Sequence, residues 1–161
     1  MENEALVENH ELIEMESNYN MCKSTVQIKY QKKNSDRISS GFFIKFQKCN
    51  KPFYCIMTNN HCINEDLINQ GEEIKILYEN KKKELEIQLN QEERLIKSFK
   101  NYKDFSLDIT IIQIIEKDQI NEEYFLSPDL SYINNYDFVI IKDISIPQFP
   151  LEVSYKYLMV K

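Results

Sequence analysis

Glycine is nearly missing from this chain: Gly41 and Gly71 are the only two in 161 residues. Phosphate-cradling loops and strained nucleophile elbows need clustered glycines, because the backbone there takes φ > 0 or approaches a ligand closely. The Walker A loop, the dinucleotide fingerprint, the G-x-S-x-G elbow and any glycine-flanked oxyanion loop are therefore excluded, and no cofactor is called for. At 42% apolar and 29% charged, the chain can build a core and is not biased toward wholesale disorder. With 20 Lys and Arg against 26 Asp and Glu, and no basic run longer than Lys81-Lys82-Lys83, it is a poor match to a phosphate backbone. No apolar window is long enough to span a bilayer, and the start Met1-Glu2-Asn3-Glu4 lacks the basic and apolar regions of a signal peptide.

Residues 2–17 carry Leu6, Leu12, Ile13 and Met15 at helical spacing, which predicts an N-terminal helix or leader over 1–20. From Ser24 the period changes to two. Strands are predicted at Thr25–Tyr30, Gly41–Phe46, Phe53–Thr58, Glu73–Tyr78, Leu85–Leu89 and Arg94–Phe99, with Leu107–Ile115 as a near-continuous apolar strand. Polar turns are read at Lys32–Ser39 and Cys49–Pro52, a helical turn at Asn64–Asn69, and a last strand beginning at Phe138–Ile141. Short strands at this spacing point to an all-β antiparallel barrel or sandwich. Glu116–Asn135, polar and holding Ser127-Pro128-Asp129, reads as a connector.

Four cysteines, Cys22, Cys49, Cys55 and Cys62, would pair only in an oxidising compartment; without a secretion signal, reduced thiols and a cytoplasmic or intracellular setting are expected. Cys49, Cys55, His61 and Cys62 lie close together in sequence, but no C-x-x-C pair occurs among them. His61 and Cys62 are adjacent and would face opposite sides of a strand, so no metal site is expected. Of the two histidines, His10 sits in the acidic leader with a surface role. His61 follows a buried-looking strand, where a base is held firmly yet faces a cleft. Position alone favours a satisfied rim histidine over a base. Asp108 opens an apolar strand, where an unpaired buried carboxylate would cost several kcal/mol, roughly, so it requires a partner or an exposed edge.

Ser40-Gly41-Phe42-Phe43-Ile44, then Cys55 to Ile63 with Thr58-Asn59-Asn60-His61, then Leu107-Asp108 to Ile114 together resemble the first barrel of the trypsin-like (chymotrypsin-fold, PA-clan) serine peptidases, closest to their HtrA-like intracellular branch. Three blocks in order, over about Ser24 to Ile115, carry the resemblance. It implies a six-stranded antiparallel barrel over 21–118, the first of a double barrel. It also implies His61 as general base, Asp108 as its orienting carboxylate, and peptides or proteins as substrates.

Two departures follow. Secreted members place a cysteine before the S-G-F block to bridge to the one after the histidine; here Ile38 and Ser39 stand there, and Cys55 reads as core packing. The family's nucleophile lies in a second-barrel loop of the form G-[DN]-S-G-[GS]. Ser127, Ser131, Ser145 and Ser154 have no glycine beside them, and no glycine follows Gly71. Residues 119–161 are thus read as a connector and an incomplete second barrel, whose start Ile146–Leu151 resembles. Expected is a truncated or fragmentary peptidase homologue, inactive alone, with self-association through an exposed barrel face. The alternatives are a half-enzyme completed by another chain, or a non-catalytic β-barrel binding module.

Overall fold

In a computed structural model the described residues are 19–33, 35–102, 105–128, 144–148 and 156–160. The helix expected over 2–17 and the strand expected at Phe138–Ile141 lie outside them. The architecture is antiparallel β with little helix. Seven strands, β1 (Thr25–Lys32), β2 (Ser35–Lys48), β3 (Lys51–Thr58), β4 (Glu73–Tyr78), β5 (Lys83–Gln88), β6 (Ile96–Tyr102) and β7 (Phe105–Gln113), form one sheet in the order β5-β4-β1-β2-β3-β7-β6. A separate ladder joins β8 (Ile144–Gln148) to β9 (Lys156–Val160).

This differs from a closed six-stranded barrel. There are seven strands, and β5 and β6 stand at the two ends of the hydrogen-bonded order with no ladder between them. The ends are nonetheless consecutive in the chain, joined by residues 89–95, and both send side chains (Ile87 and Ile96) into the same core as Val26, Ile28, Phe43 and Ile112. The sheet therefore curls around one interior, and the break falls where the polar stretch Asn90 to Glu93 interrupts the period of two.

β2 begins earlier than its composition predicts. Ser35–Ser39, read as turn, pair with Ile28–Lys32 of β1 in a two-stranded ribbon whose outer residues are exposed. Ile28 and Tyr30 anchor the β1 side of that ribbon in the core, while the Ser35–Ser39 side carries only Ile38 as a large apolar residue, so no apolar alternation marks it. Gly41 sits where β1, β2 and β3 press together: a Cβ there would lie 2.8 Å from the Met57 carbonyl oxygen and 3.1 Å from Ile28 Cδ1. Gly71, at φ +64°, ends α1 (Glu65–Asn69) in a Schellman turn, with its N–H donating to the Ile68 carbonyl (3.0 Å) and that of Glu72 to Leu67 (3.4 Å).

The stretch read as a connector is packed onto the sheet up to Leu126. Tyr124 and Phe125 are buried, and the Phe125 ring lies 5.2 Å from Phe43 and 4.8 Å from Tyr54. Where β1 stops pairing with β2, Leu126 takes over, exchanging backbone bonds with Phe43 (3.0 Å) and Lys45 (2.9 Å). Arg94, buried in the 89–95 break, forms a two-pronged pair with Asp118 at 2.8 and 3.1 Å and also donates to the Gln113 carbonyl at 3.0 Å.

Candidate functional site

Sheet register sets the site. β3 and β7 pair Thr58 with Thr110, so continuing that antiparallel register places Asp108 opposite position 60, beside His61. β3 ends at Thr58, whose hydroxyl donates to the Ser40 carbonyl at 2.8 Å. The chain then turns, with the N–H groups of Cys62 and Ile63 both donating to the Asn59 carbonyl at 3.2 Å. Cys62 and Ile63 are buried and His61 points outward, so the apolar pair anchors the turn and leaves the imidazole at the rim. Asn64 caps α1 by accepting from the Leu67 N–H at 3.1 Å, which ends the turn firmly.

Three N–H groups converge on the Asp108 carboxylate. The His61 backbone N–H donates to Oδ1 at 2.8 Å, His61 Nδ1 lies 2.5 Å from Oδ2, and Asn59 Nδ2 donates to Oδ2 at 3.2 Å. These hold the Asp108 carboxyl below its ordinary range: the His61 backbone N–H acts most strongly and the ring and Asn59 add to it, while partial desolvation opposes them. An ionised carboxylate only accepts, so the proton between the two residues belongs to Nδ1, and in the neutral ring the lone pair is on Nε2. The His61 side chain is 69% exposed and that of Asp108 46%, so the pair lies open at the surface. Lys32, at the end of β1, donates to the His61 carbonyl at 3.2 Å.

Behind the pair runs a polar chain that composition alone did not single out. The Asn60 side-chain amide bonds Ser98 Oγ, Ser98 Oγ lies 3.1 Å from Thr110 Oγ1, and Thr110 Oγ1 lies 2.6 Å from the Ile63 carbonyl oxygen. Its signal in the sequence is Thr110 itself, a hydroxyl in the middle of the apolar run Leu107–Ile115, which once buried must find a partner. Asn59 was visible only as a letter of the Thr-Asn-Asn-His block.

The cysteines do not gather. Cys49 is exposed in the β2–β3 turn and Cys62 is buried beyond the other end of β3, a strand about 26 Å long at the usual rise. Cys55 lies in the core of β3, its thiol pushed up to about 12 by burial. Burial, with the Cys62 thiol beside it, likewise pushes the Tyr30 hydroxyl up to about 12. Among the described residues there is no disulfide and no group of three His, Cys, Asp or Glu side chains set to hold a metal ion. No helix among them is long and apolar enough to cross a membrane.

No protein-family model matches the chain, and neither a curated protein nor a solved structure does. The class defined by fold and site together is an antiparallel β domain carrying a hydrogen-bonded His–Asp pair at its rim.

Proposed function

We propose that this chain is a homologue of the trypsin-like serine endopeptidases that carries the general base, His61, and its orienting carboxylate, Asp108, but no acylating serine, and is inactive by itself. The convergence of both His61 N–H groups on one carboxylate is the observation that supports it. With Nδ1–H fixed on Asp108, Nε2 faces outward with its lone pair. It would take a proton from a hydroxyl and return it to a leaving amine, while Asp108 stabilises the imidazolium formed between the two steps. Peptides or proteins are the substrate class of such chemistry, and neither nucleic acid, membrane surface nor cofactor enters it. With only Gly41 and Gly71 in the sequence, no serine stands in a glycine-flanked loop, and a His–Asp pair acting on water alone accelerates little.

In the same proposal the sheet is a six-staved barrel whose one stave is split into β5 and β6, closed by residues 89–95 and not by a ladder. The exposure of the His61 side chain favours completion in trans, a second chain supplying serine and oxyanion donors to that face. A fluorophosphonate probe tests the proposal on the purified chain. No serine is expected to be labelled, and peptide hydrolysis is expected to equal that of His61→Ala. Labelling of any serine would overturn the claim of inactivity. Peptide binding undiminished in both His61→Ala and Asp108→Ala would turn the assignment toward a non-catalytic binding module.

A further inference from the structure

We propose that Thr110 and Ser98 are positioning residues for the His61–Asp108 pair, acting through Asn60 and Ile63, which flank His61 in its turn. The direction of each hydrogen bond follows from what the atoms can do. The Ile63 carbonyl only accepts, so the single Thr110 proton goes to it, at 2.6 Å. The 3.1 Å contact between Thr110 and Ser98 therefore takes its proton from Ser98, and the Asn60 amide donates to Ser98 in turn. Each hydroxyl donates once and accepts once, and the chain of donors runs unbroken from Asn60 to Ile63.

This chain grips the turn on both sides of the histidine. Thr110 is fully buried and lies two residues after Asp108 on β7, and Ser98 is its cross-strand partner on β6. The strand that presents the carboxylate thus also holds the backbone on which the imidazole is mounted. His61 and Asp108 are both largely exposed, so their own contact is open to water, and the fixed reference is the buried Thr110 hydroxyl beneath them. A hydroxyl at that depth with an isosteric apolar alternative in valine costs desolvation unless it is bonded, and here its bonds go to the His61 turn.

Amide hydrogen exchange and imidazole nitrogen NMR on the full chain test this. The His61 N–H is bonded to Asp108, so its exchange reports opening of the pair. Thr110→Val is expected to raise that exchange by about tenfold relative to the other β3–β7 amides, the factor of roughly one lost net hydrogen bond. It is also expected to mix the two neutral tautomers of His61. Thr110→Ser, which keeps the hydroxyl, should restore both, and Ser98→Ala should reproduce the valine effect in part. Should Thr110→Val fail to fold, Ser98→Ala and Asn60→Ala, at half-buried positions, give the same reading. A His61 exchange rate that moves only in step with the rest of the sheet, with one tautomer throughout, would overturn the assignment. These measurements follow the pair and not any reaction, so a serine labelled by fluorophosphonate would sink the inactive-peptidase proposal and leave this one standing, and the reverse result is equally distinguishable.

Discussion

Asp108 is the residue on which the site turns. Its carboxyl lies below the ordinary range because three N–H groups point at it, the His61 backbone N–H most strongly. A folded-state pKa below the unfolded one means that the carboxylate stabilises the fold above the unfolded value of about 4, and that this contribution is lost as pH falls through the folded value. Wild type is therefore expected to be more stable than Asp108→Asn above about pH 5. The gap should close as pH drops below about 4, followed by urea denaturation at each pH. A gap constant down to low pH would mean that the carboxylate's charge plays no part. At this scale a carboxylate opening an apolar strand signals that it needs a partner or an exposed edge, and the three-block resemblance, not spacing, is what points to His61 as that partner. The sequence was uninformative about Asn59 and Ser98, because the partner of a polar side chain is set by cross-strand register between positions tens of residues apart.

Scarcity of glycine shapes the elements. Hairpin turns whose twist matches the strands need φ > 0, and here non-glycine residues supply it: Cys49 (51°) and Asn50 (60°) between β2 and β3, and Glu79 (50°), Asn80 (54°) and Lys81 (65°) between β4 and β5. The left-handed region costs an L-residue about 1–2 kcal/mol, against about 0.5–1 kcal/mol of extra chain entropy for glycine. Relief wins, so Cys49→Gly is expected to stabilise the chain by about 0.5–1 kcal/mol, read as a higher urea midpoint at unchanged slope. Destabilisation there would mean that Cys49 makes a contact its exposure does not suggest. β1 and β4 are legible from the period of two in their sequences, although burial runs over both faces at Thr25–Ile28 and again at Ile76, Leu77 and Tyr78, which that period does not show. Ser35–Ser39 reads as a turn because its residues are polar apart from Ile38 and mostly exposed, and the break between β5 and β6 leaves no periodic signal of its own. Tyr124 and Phe125, an isolated aromatic pair in a polar stretch, gave no hint that the stretch packs back onto Phe43.

At the scale of the molecule, one buried ion pair ties the segment between β5 and β6 to the segment that follows β7. Arg94 sits between β5 and β6, Asp118 sits beyond β7, and both side chains are almost wholly inaccessible. Removing one partner strands the other charge, which typically costs about 3–5 kcal/mol, a large share of the roughly 5–15 kcal/mol that holds a domain together. Asp118→Ala is expected to lower stability by that amount in thermal or urea unfolding. A loss below about 1 kcal/mol would show that the pair is not what fastens the 89–95 segment to the chain after β7. The exposed face around His61 is the complementary feature: the fold presents a hydrogen-bonded imidazole on a side chain that is 69% exposed. The proposed function rests on how that one imidazole is held, and with only His10 and His61 in the chain, long-range nitrogen–proton correlation of histidine side chains reads it directly. Above the pH at which the ring is neutral, His61 is expected in the Nδ1–H form in wild type and in the Nε2–H form in Asp108→Asn, with His10 unchanged between them. A wild-type His61 in the Nε2–H form, or a tautomer indifferent to Asp108→Asn, would contradict the pairing and the function proposed from it.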